Sequence, residues 1–211
     1  MKSKNLRYDI LNNLFNISVK KASIVLSEII NKNIMLNVPD VKIIDINNQP
    51  LNMSQNILND TEGNLMVSSI SFERKMAGKA NLIFPEEKMR TFINLCLEDS
   101  ELDLVSEPNF TDVDFDVIKE IGSIVLNSIM SGLGKYMNIN FDYTLPEVKI
   151  FDKDDFSRDS ELSGFMQALL LYITFEIENT EIEGAILVDL TLNSLNELIK
   201  NIDNFGDELN E

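Results

Sequence analysis

Two groups of polar residues recur along the chain with the spacing of one helix face. The first stripe consists of Asp9, Asn13, Asn16, Lys20, Ser23 and Ser27, and the second stripe of Asp116, Glu120, Ser123, Asn127 and Gly134. Positions three, four or seven apart lie on one side of a helix, so each group predicts a narrow polar stripe on an otherwise largely apolar helix. Most surface helices have a polar solvent face. The narrowness of these stripes and their recurrence favour a functional surface.

The composition limits which chemistry these residues can perform. The chain has no histidine, which excludes Ser-His-Asp and Cys-His catalysis, His-ligated zinc and histidine phosphotransfer. Its single cysteine, Cys96, lies in an apolar run and predicts a buried structural thiol. The formal net charge of −17 argues against nucleic acids and anionic membranes as partners. We predict no metal site.

No apolar run approaches the ~20 residues of a membrane span, and the N-terminus lacks the apolar core of a secretory signal. We therefore expect a cytoplasmic protein that does not insert into membranes.

Two long stretches of helical periodicity position the stripes, at about residues 6–31 and 110–137. The first stretch predicts an apolar face of Leu11, Leu14, Ser18, Ala22, Val25 and Ile29. Each stretch is followed by a β-branched segment interrupted by proline (Pro39 or Pro146), by two strands and by a closing helix. The pattern therefore runs helix, strands, helix, and then repeats.

The landmarks of the two halves lie at a nearly constant offset. Asp9 and Asp116, and likewise Pro39 and Pro146, are 107 residues apart. We predict one α+β domain over residues 1–211, made of two repeats at about 6–98 and 112–204, joined by an acidic linker at 98–114. Each half would supply a long helix, antiparallel strands and a second helix, and the strands would form a shared sheet with a pseudo-two-fold axis.

These residues resemble the CheC/CheX/FliY family of chemotaxis phosphatases. The family pattern is Asp/Ser-x3-Glu-x2-Asn, followed by about 21 or 22 residues and then proline. It is matched in part by Asp9, Asn13, Asn16 and Pro39, and again by Asp116, Glu120, Ser123 and Pro146. The resemblance covers nearly the whole chain, and its two motif copies are most like CheC.

The resemblance implies binding of a phosphorylated CheY-like response regulator and hydrolysis of its aspartyl phosphate. The regulator supplies its own magnesium, so no cofactor is expected in this chain. In the family, the Asn orients the attacking water and the Glu pairs with a lysine of the regulator. The candidate catalytic residues are accordingly Asn16, Asn13, Glu120 and Ser123, and the candidate binding residues are Asp9, Asp116, Lys20 and Asn127. The receptor deamidase CheD is a further expected partner, for which the loop at residues 151–161 is a candidate surface.

Both motif copies depart from the family pattern. The first keeps the amide at Asn16 but has Asn13 in place of the carboxylate, whereas the second keeps Glu120 but has Ser123 in place of the amide. We expect weak activity at the first site and mainly binding at the second. The alternatives are a catalytically degenerate binding protein acting through the regulator or CheD, a flagellar-switch module, and a structural domain whose stripes are solvent faces. The length of 211 residues favours the free-standing CheC-like protein.

Overall fold

The computed structural model describes residues 2–45, 63–74, 76–97, 110–152, 155 and 167–208. The helices are α1 (Lys2–Ile30), α2 (Glu86–Leu97), α3 (Asp112–Met137) and α4 (Leu192–Glu208). The strands are β1 (Ile34–Asn37), β2 (Val41–Asp45), β3 (Asn64–Glu73), β4 (Gly78–Pro85), β5 (Asp142–Tyr143), β6 (Glu147–Asp152), β7 (Gln167–Ile177) and β8 (Thr180–Leu190). The predicted order of elements and the α+β class are confirmed.

The strands form one antiparallel sheet in the order β1-β7-β8-β4-β3-β5, in which β2 also pairs with β7 and β6 with β3. Each half therefore lends its short strands to the other half. Ile34 of β1 lies opposite Ile177 of β7, and Val148 of β6 lies opposite Ser68 of β3. The central strands β4 and β8 meet with Asn81 opposite Leu187. This reciprocal pairing is compatible with the predicted internal repeat.

The four helices share one apolar core with one face of the sheet. Alternate strand residues point to the opposite face, where a second buried cluster contains Ile44, Leu65, Val67, Ile83, Ala168, Leu170, Ala185 and Leu187. Within the described residues, no helix is long and apolar enough to cross a membrane.

The two long helices pack against each other through a contact between small residues. A Cβ atom at Gly132 of α3 would lie 1.9 Å from Oγ of Ser18 on α1, so only glycine fits there without a shift of its neighbour. Gly122 brings α3 similarly close to Ser68 of β3. At the other end of α1, the Arg7 guanidinium donates two hydrogen bonds of 2.6 Å to Asp203 of α4. Glycine thus sets the distance between α1 and α3, and an ion pair fixes α1 to α4.

The buried face of α1 differs in part from the predicted one. Its fully buried apolar residues are Leu11, Phe15, Val19, Ala22 and Leu26. Val25 and Ile29, which were predicted on the apolar face, are 41% and 57% exposed. Apolar residues occur around most of the helix circumference, so periodicity alone did not identify the side that packs on the sheet.

Part of the predicted linker belongs to α3. Thr111 is the N-cap of this helix and forms a capping box with Asp114, so the acidic residues Asp112 and Asp114 lie in its first turn. Residues 98–109 of the predicted linker lie outside the described residues. So does most of the loop at 151–161, which was the candidate surface for CheD.

Candidate functional site

Asn16 lies at the centre of the first stripe and is bonded to the connection between β1 and β2. Its Oδ1 accepts a hydrogen bond of 2.9 Å from the backbone N–H of Val38. Its Nδ2 donates to the carbonyl oxygens of Val38 and Asn12 at 2.8 and 2.9 Å. Val38 precedes Pro39, so the helix and proline of the motif, separated by 22 intervening residues in sequence, are neighbours in the fold.

The hydroxyls of the first stripe continue this contact along β1. Ser23 Oγ accepts a hydrogen bond of 2.8 Å from the N–H of Leu36. Ser27 Oγ accepts one of 2.9 Å from the N–H of Ile34 and donates to the carbonyl of the same residue at 3.2 Å. Three alternate N–H groups, at residues 34, 36 and 38, are thus bonded to α1 side chains. An edge strand would otherwise present these groups unpaired, and α1 covers them.

Only part of the first stripe faces solvent. Asp9, Asn13 and Lys20 are exposed, whereas Asn16 is half-buried. Both hydrogens of the Asn16 amide nitrogen are used by carbonyls, but Oδ1 accepts one hydrogen bond and has a second lone pair. Asn16 can therefore accept a further hydrogen bond from a water molecule but cannot donate one.

The second stripe has a different environment. Glu120 and Asp116 are exposed, and Asp116 Oδ1 lies 3.3 Å from Nζ of Lys119. Ser123 is half-buried and accepts a hydrogen bond of 3.1 Å from Nδ2 of Asn127. The Oδ1 atom of Asn127 is buried and accepts no hydrogen bond from the described residues. The second site therefore presents a free carboxylate at Glu120 and no amide at position 123.

The connections that follow the two long helices also differ. Val38 is 1% exposed, whereas Leu145, the residue before Pro146, is 87% exposed. Within the described residues, no hydrogen bond joins Ser123 to Leu145, whereas Asn16 makes two to Val38. The serine is too short to repeat the bond made by the asparagine, and the second connection is correspondingly not drawn onto its helix.

The structure does not bring the two candidate sites together. Ser18 contacts Gly132, and these residues lie two positions after Asn16 and nine positions after Ser123. At a rise of 1.5 Å per residue, the sites are roughly 10 Å or more apart along the helices. Each site must therefore act on its own.

Two features near the sheet were not identified from the sequence. Asn12 shares a hydrogen bond with Asn16 and donates one of 3.4 Å to the carbonyl of Pro39; its position four residues before Asn16 was the available signal. Asp189 is fully buried and accepts a hydrogen bond of 2.9 Å from Asn81. Burial raises the pKa of Asp189 to about 8, partly offset by the bond from Asn81 and by Lys79.

The thiol of Cys96 is partly buried, and burial raises its pKa to about 12. This agrees with the predicted structural thiol, because the reactive form is the thiolate.

No protein-family model matches the chain, and no curated protein matches it in sequence. Solved structures do match its fold. FliY from Thermotoga maritima has a TM-score of 0.72 at 16% identity, over 94% of this chain and 96% of that chain. The FliM middle domain from Vibrio alginolyticus has a TM-score of 0.59 at 12% identity, over 90% and 98%. FliM in a FliG–FliM complex from H. pylori has a TM-score of 0.60 at 9% identity, over 90% and 94%.

The predicted resemblance is therefore confirmed at the level of the fold. The chain has the architecture shared by FliY and the middle domain of FliM, over nearly its whole length and theirs.

Proposed function

We propose that the chain is a CheC-like chemotaxis protein whose main activity is to bind a phosphorylated CheY-like response regulator. The observation that carries this proposal is the exposure of Asn13 and Glu120 at equivalent positions of the paired long helices. Two side chains able to accept a hydrogen bond from a lysine are thus presented on rigid elements, as docking into a shallow site requires. The whole-length match to FliY supports the same assignment.

Hydrolysis is confined to the first site in this proposal and is slow. The oxygen of a water molecule attacks the phosphorus, the bond from phosphorus to the aspartate oxygen breaks, and inorganic phosphate leaves. The protein contributes mainly position and electrostatics. Asn16 accepts a hydrogen bond from this water through its free Oδ1 lone pair. Asn13 is neutral, and a neutral hydrogen bond to the regulator's lysine contributes about 1 kcal/mol, against about 1.5–3 kcal/mol for a charged one.

The test is the binding of a CheY-like regulator from the same organism, with and without beryllofluoride as a mimic of the acyl phosphate. We expect the loaded form to bind more tightly and Glu120→Ala or Asn13→Ala to weaken binding about threefold to tenfold. Glu197→Ala, an exposed carboxylate on α4, is the control and is expected to leave the affinity unchanged. Equal affinity for loaded and unloaded regulator contradicts the proposal.

Phosphate release then separates binding from hydrolysis. Asn16→Ala should abolish the slow release, and Ser123→Ala should leave it unchanged. Repeating the measurement with CheD determines whether that proposed partner changes the rate.

A flagellar-switch module is the second candidate function. It is favoured by the match to FliM, one structure of which was solved in complex with FliG. Binding of this chain to a FliG-like protein, without any preference for the loaded regulator, would support this candidate over the first.

A further inference from the structure

The outer surface of α1 combines exposed apolar and basic side chains. We call the residues Asn13, Ile17, Lys20, Lys21 and Ile24 the α1 docking face. Ile17 and Ile24 are 59% and 61% exposed and lie seven residues apart, which places them on one line along the helix. A large apolar side chain exposed alone is common, but two aligned on one helix beside two bases are typical of an interface.

The bases of this face are free to meet a partner. Among the described residues, neither Lys20 nor Lys21 forms an ion pair or a side-chain hydrogen bond. Other exposed or half-exposed bases do have carboxylate partners, such as Arg7 with Asp203, Arg74 with Asp142 and Lys119 with Asp116. In a chain with a net charge of −17, two adjacent unpaired lysines form a local positive patch.

The equivalent surface of α3 lacks both properties. The residues 107 positions later are Glu120, Ile124, Asn127, Ser128 and Ser131. No lysine or arginine occurs from Glu120 to Gly134, and Ile124 is partly buried against the core. The two long helices are thus alike in fold and different in surface charge.

A groove beside the docking face extends the apolar contact. It has a volume of about 380 Å³ and lies between α1 and β1, where it is lined by Ser23, Ile24, Ser27, Glu28, Asn33 and Ile34. Ile24 belongs to both the docking face and the groove, so a side chain of a docked protein could enter beside it.

We propose that the α1 docking face binds the acidic, phosphate-bearing surface of the response regulator, and that each chain binds one regulator at α1 and none at α3. This inference rests on the proposed function and adds the surface, its charge and the stoichiometry. Lys20 and Lys21 attract the carboxylates and phosphate around the regulator's aspartate, which increases the rate of association. Ile17 and Ile24 supply the apolar contact that slows dissociation.

Charge also disfavours the other occupants of this face. A second copy of the chain would bring another 17 negative charges, and this repulsion opposes self-association. An anionic membrane attracts basic and apolar helices, but recognition usually requires about four to eight clustered bases. The docking face has two.

The experiment is a calorimetric titration of the full chain with the beryllofluoride-loaded regulator. Lys20→Glu/Lys21→Glu should weaken binding roughly tenfold and reduce its dependence on salt, because opposed charges steer and hold the complex. Lys135→Glu/Lys200→Glu makes the same change in net charge on exposed bases of α3 and α4, and is expected to remain within about twofold of the wild type. Ile17→Ser/Ile24→Ser should weaken binding without lowering the unfolding midpoint, because both side chains are exposed. The fitted stoichiometry should be one.

The outcomes separate this inference from the proposed function. Wild-type binding that is equally affected by the two charge-reversal variants, or a stoichiometry of two, overturns the inference and leaves the proposed function intact. An absence of wild-type binding overturns both. Capture of the wild type by vesicles of phosphatidylserine, abolished by Lys20→Glu/Lys21→Glu, would assign the face to a membrane and overturn the inference.

Discussion

Asn16 has two roles that compete for the same amide. It bonds the backbone of Val38 on both sides, and it is also the candidate residue for orienting water. A bound amide is held in one orientation, which favours precise positioning, but it has no N–H left to donate. The residue therefore contributes to stability whether or not it contributes to hydrolysis.

Replacing Asn16 by alanine should lower the free energy of unfolding by about 1–3 kcal/mol, because the N–H and carbonyl of Val38 lose their partners. Urea unfolding followed by circular dichroism measures this change. Asn13→Ala, an exposed residue on the same helix, should change stability by less than about 0.5 kcal/mol. Similar losses for the two variants would contradict a structural role of the Asn16 amide.

Asp189 makes the stability of the fold depend on pH. The folded-state pKa of about 8 lies above the ordinary value of 3.8. Between these values the folded state retains a proton that the unfolded state releases, so stability falls as pH rises from about 4 to 8 and levels off above 8. The slope from this group is up to about 1.4 kcal/mol per pH unit. Lys79, opposite Asp189 in the sheet, reduces the shift.

Asp189→Asn should remove this slope, so its stability relative to the wild type should increase steadily from pH 5 to pH 8. Thermal or urea unfolding at several pH values measures the difference. A constant difference across this range would show that Asp189 is ionised in the folded protein.

The contact between α1 and α3 depends on the absence of a side chain at Gly132. Gly132→Ala should destabilise the protein by about 1–3 kcal/mol through overpacking, although alanine favours a helix by about 1 kcal/mol. Ser18→Ala removes the Oγ atom at 1.9 Å and leaves the Cβ atom at 3.1 Å. In that background, Gly132→Ala should cost much less. A double-mutant cycle of unfolding free energies measures the coupling, and additive effects would contradict the packing account.

The elements themselves were largely predictable from the sequence, because helical periodicity and β-branched runs are local. The orientation of α1 was not, since Val25 and Ile29 satisfy the same periodicity as Leu11 and Ala22. The polar stripe was correctly placed but only partly understood. Nothing in the sequence shows that Ser23 and Ser27 bond the edge of β1, because side-chain bonding to a distant strand depends on tertiary contacts.

At the level of the whole chain, the reciprocal pairing of strands makes the two halves mutually dependent. The first half lacks a partner for β1 and β2 without β7, and the second half lacks one for β5 and β6 without β3. Sequence patterns predicted the repeat but not this exchange, because partner choice between distant strands leaves no local signal.

A chain divided between residues 97 and 110 should therefore give two fragments that are unfolded alone and fold when mixed in equal amounts. Circular dichroism and analytical ultracentrifugation of each fragment and of the mixture measure this. Cooperative unfolding of either isolated fragment would show that the halves are independent domains.

The pairing of β1 with β7 also sets an order for events during synthesis on the ribosome. Ile34 lies opposite Ile177, which is translated 143 residues later. At about 5–20 residues per second, the N-terminal strand waits roughly 7–30 s for its neighbour to be made. During that interval, the only partners that β1 has for its N–H groups at residues 34, 36 and 38 are the side chains of α1. The helix can therefore protect the nascent strand from wrong pairing until the rest of the sheet is synthesised.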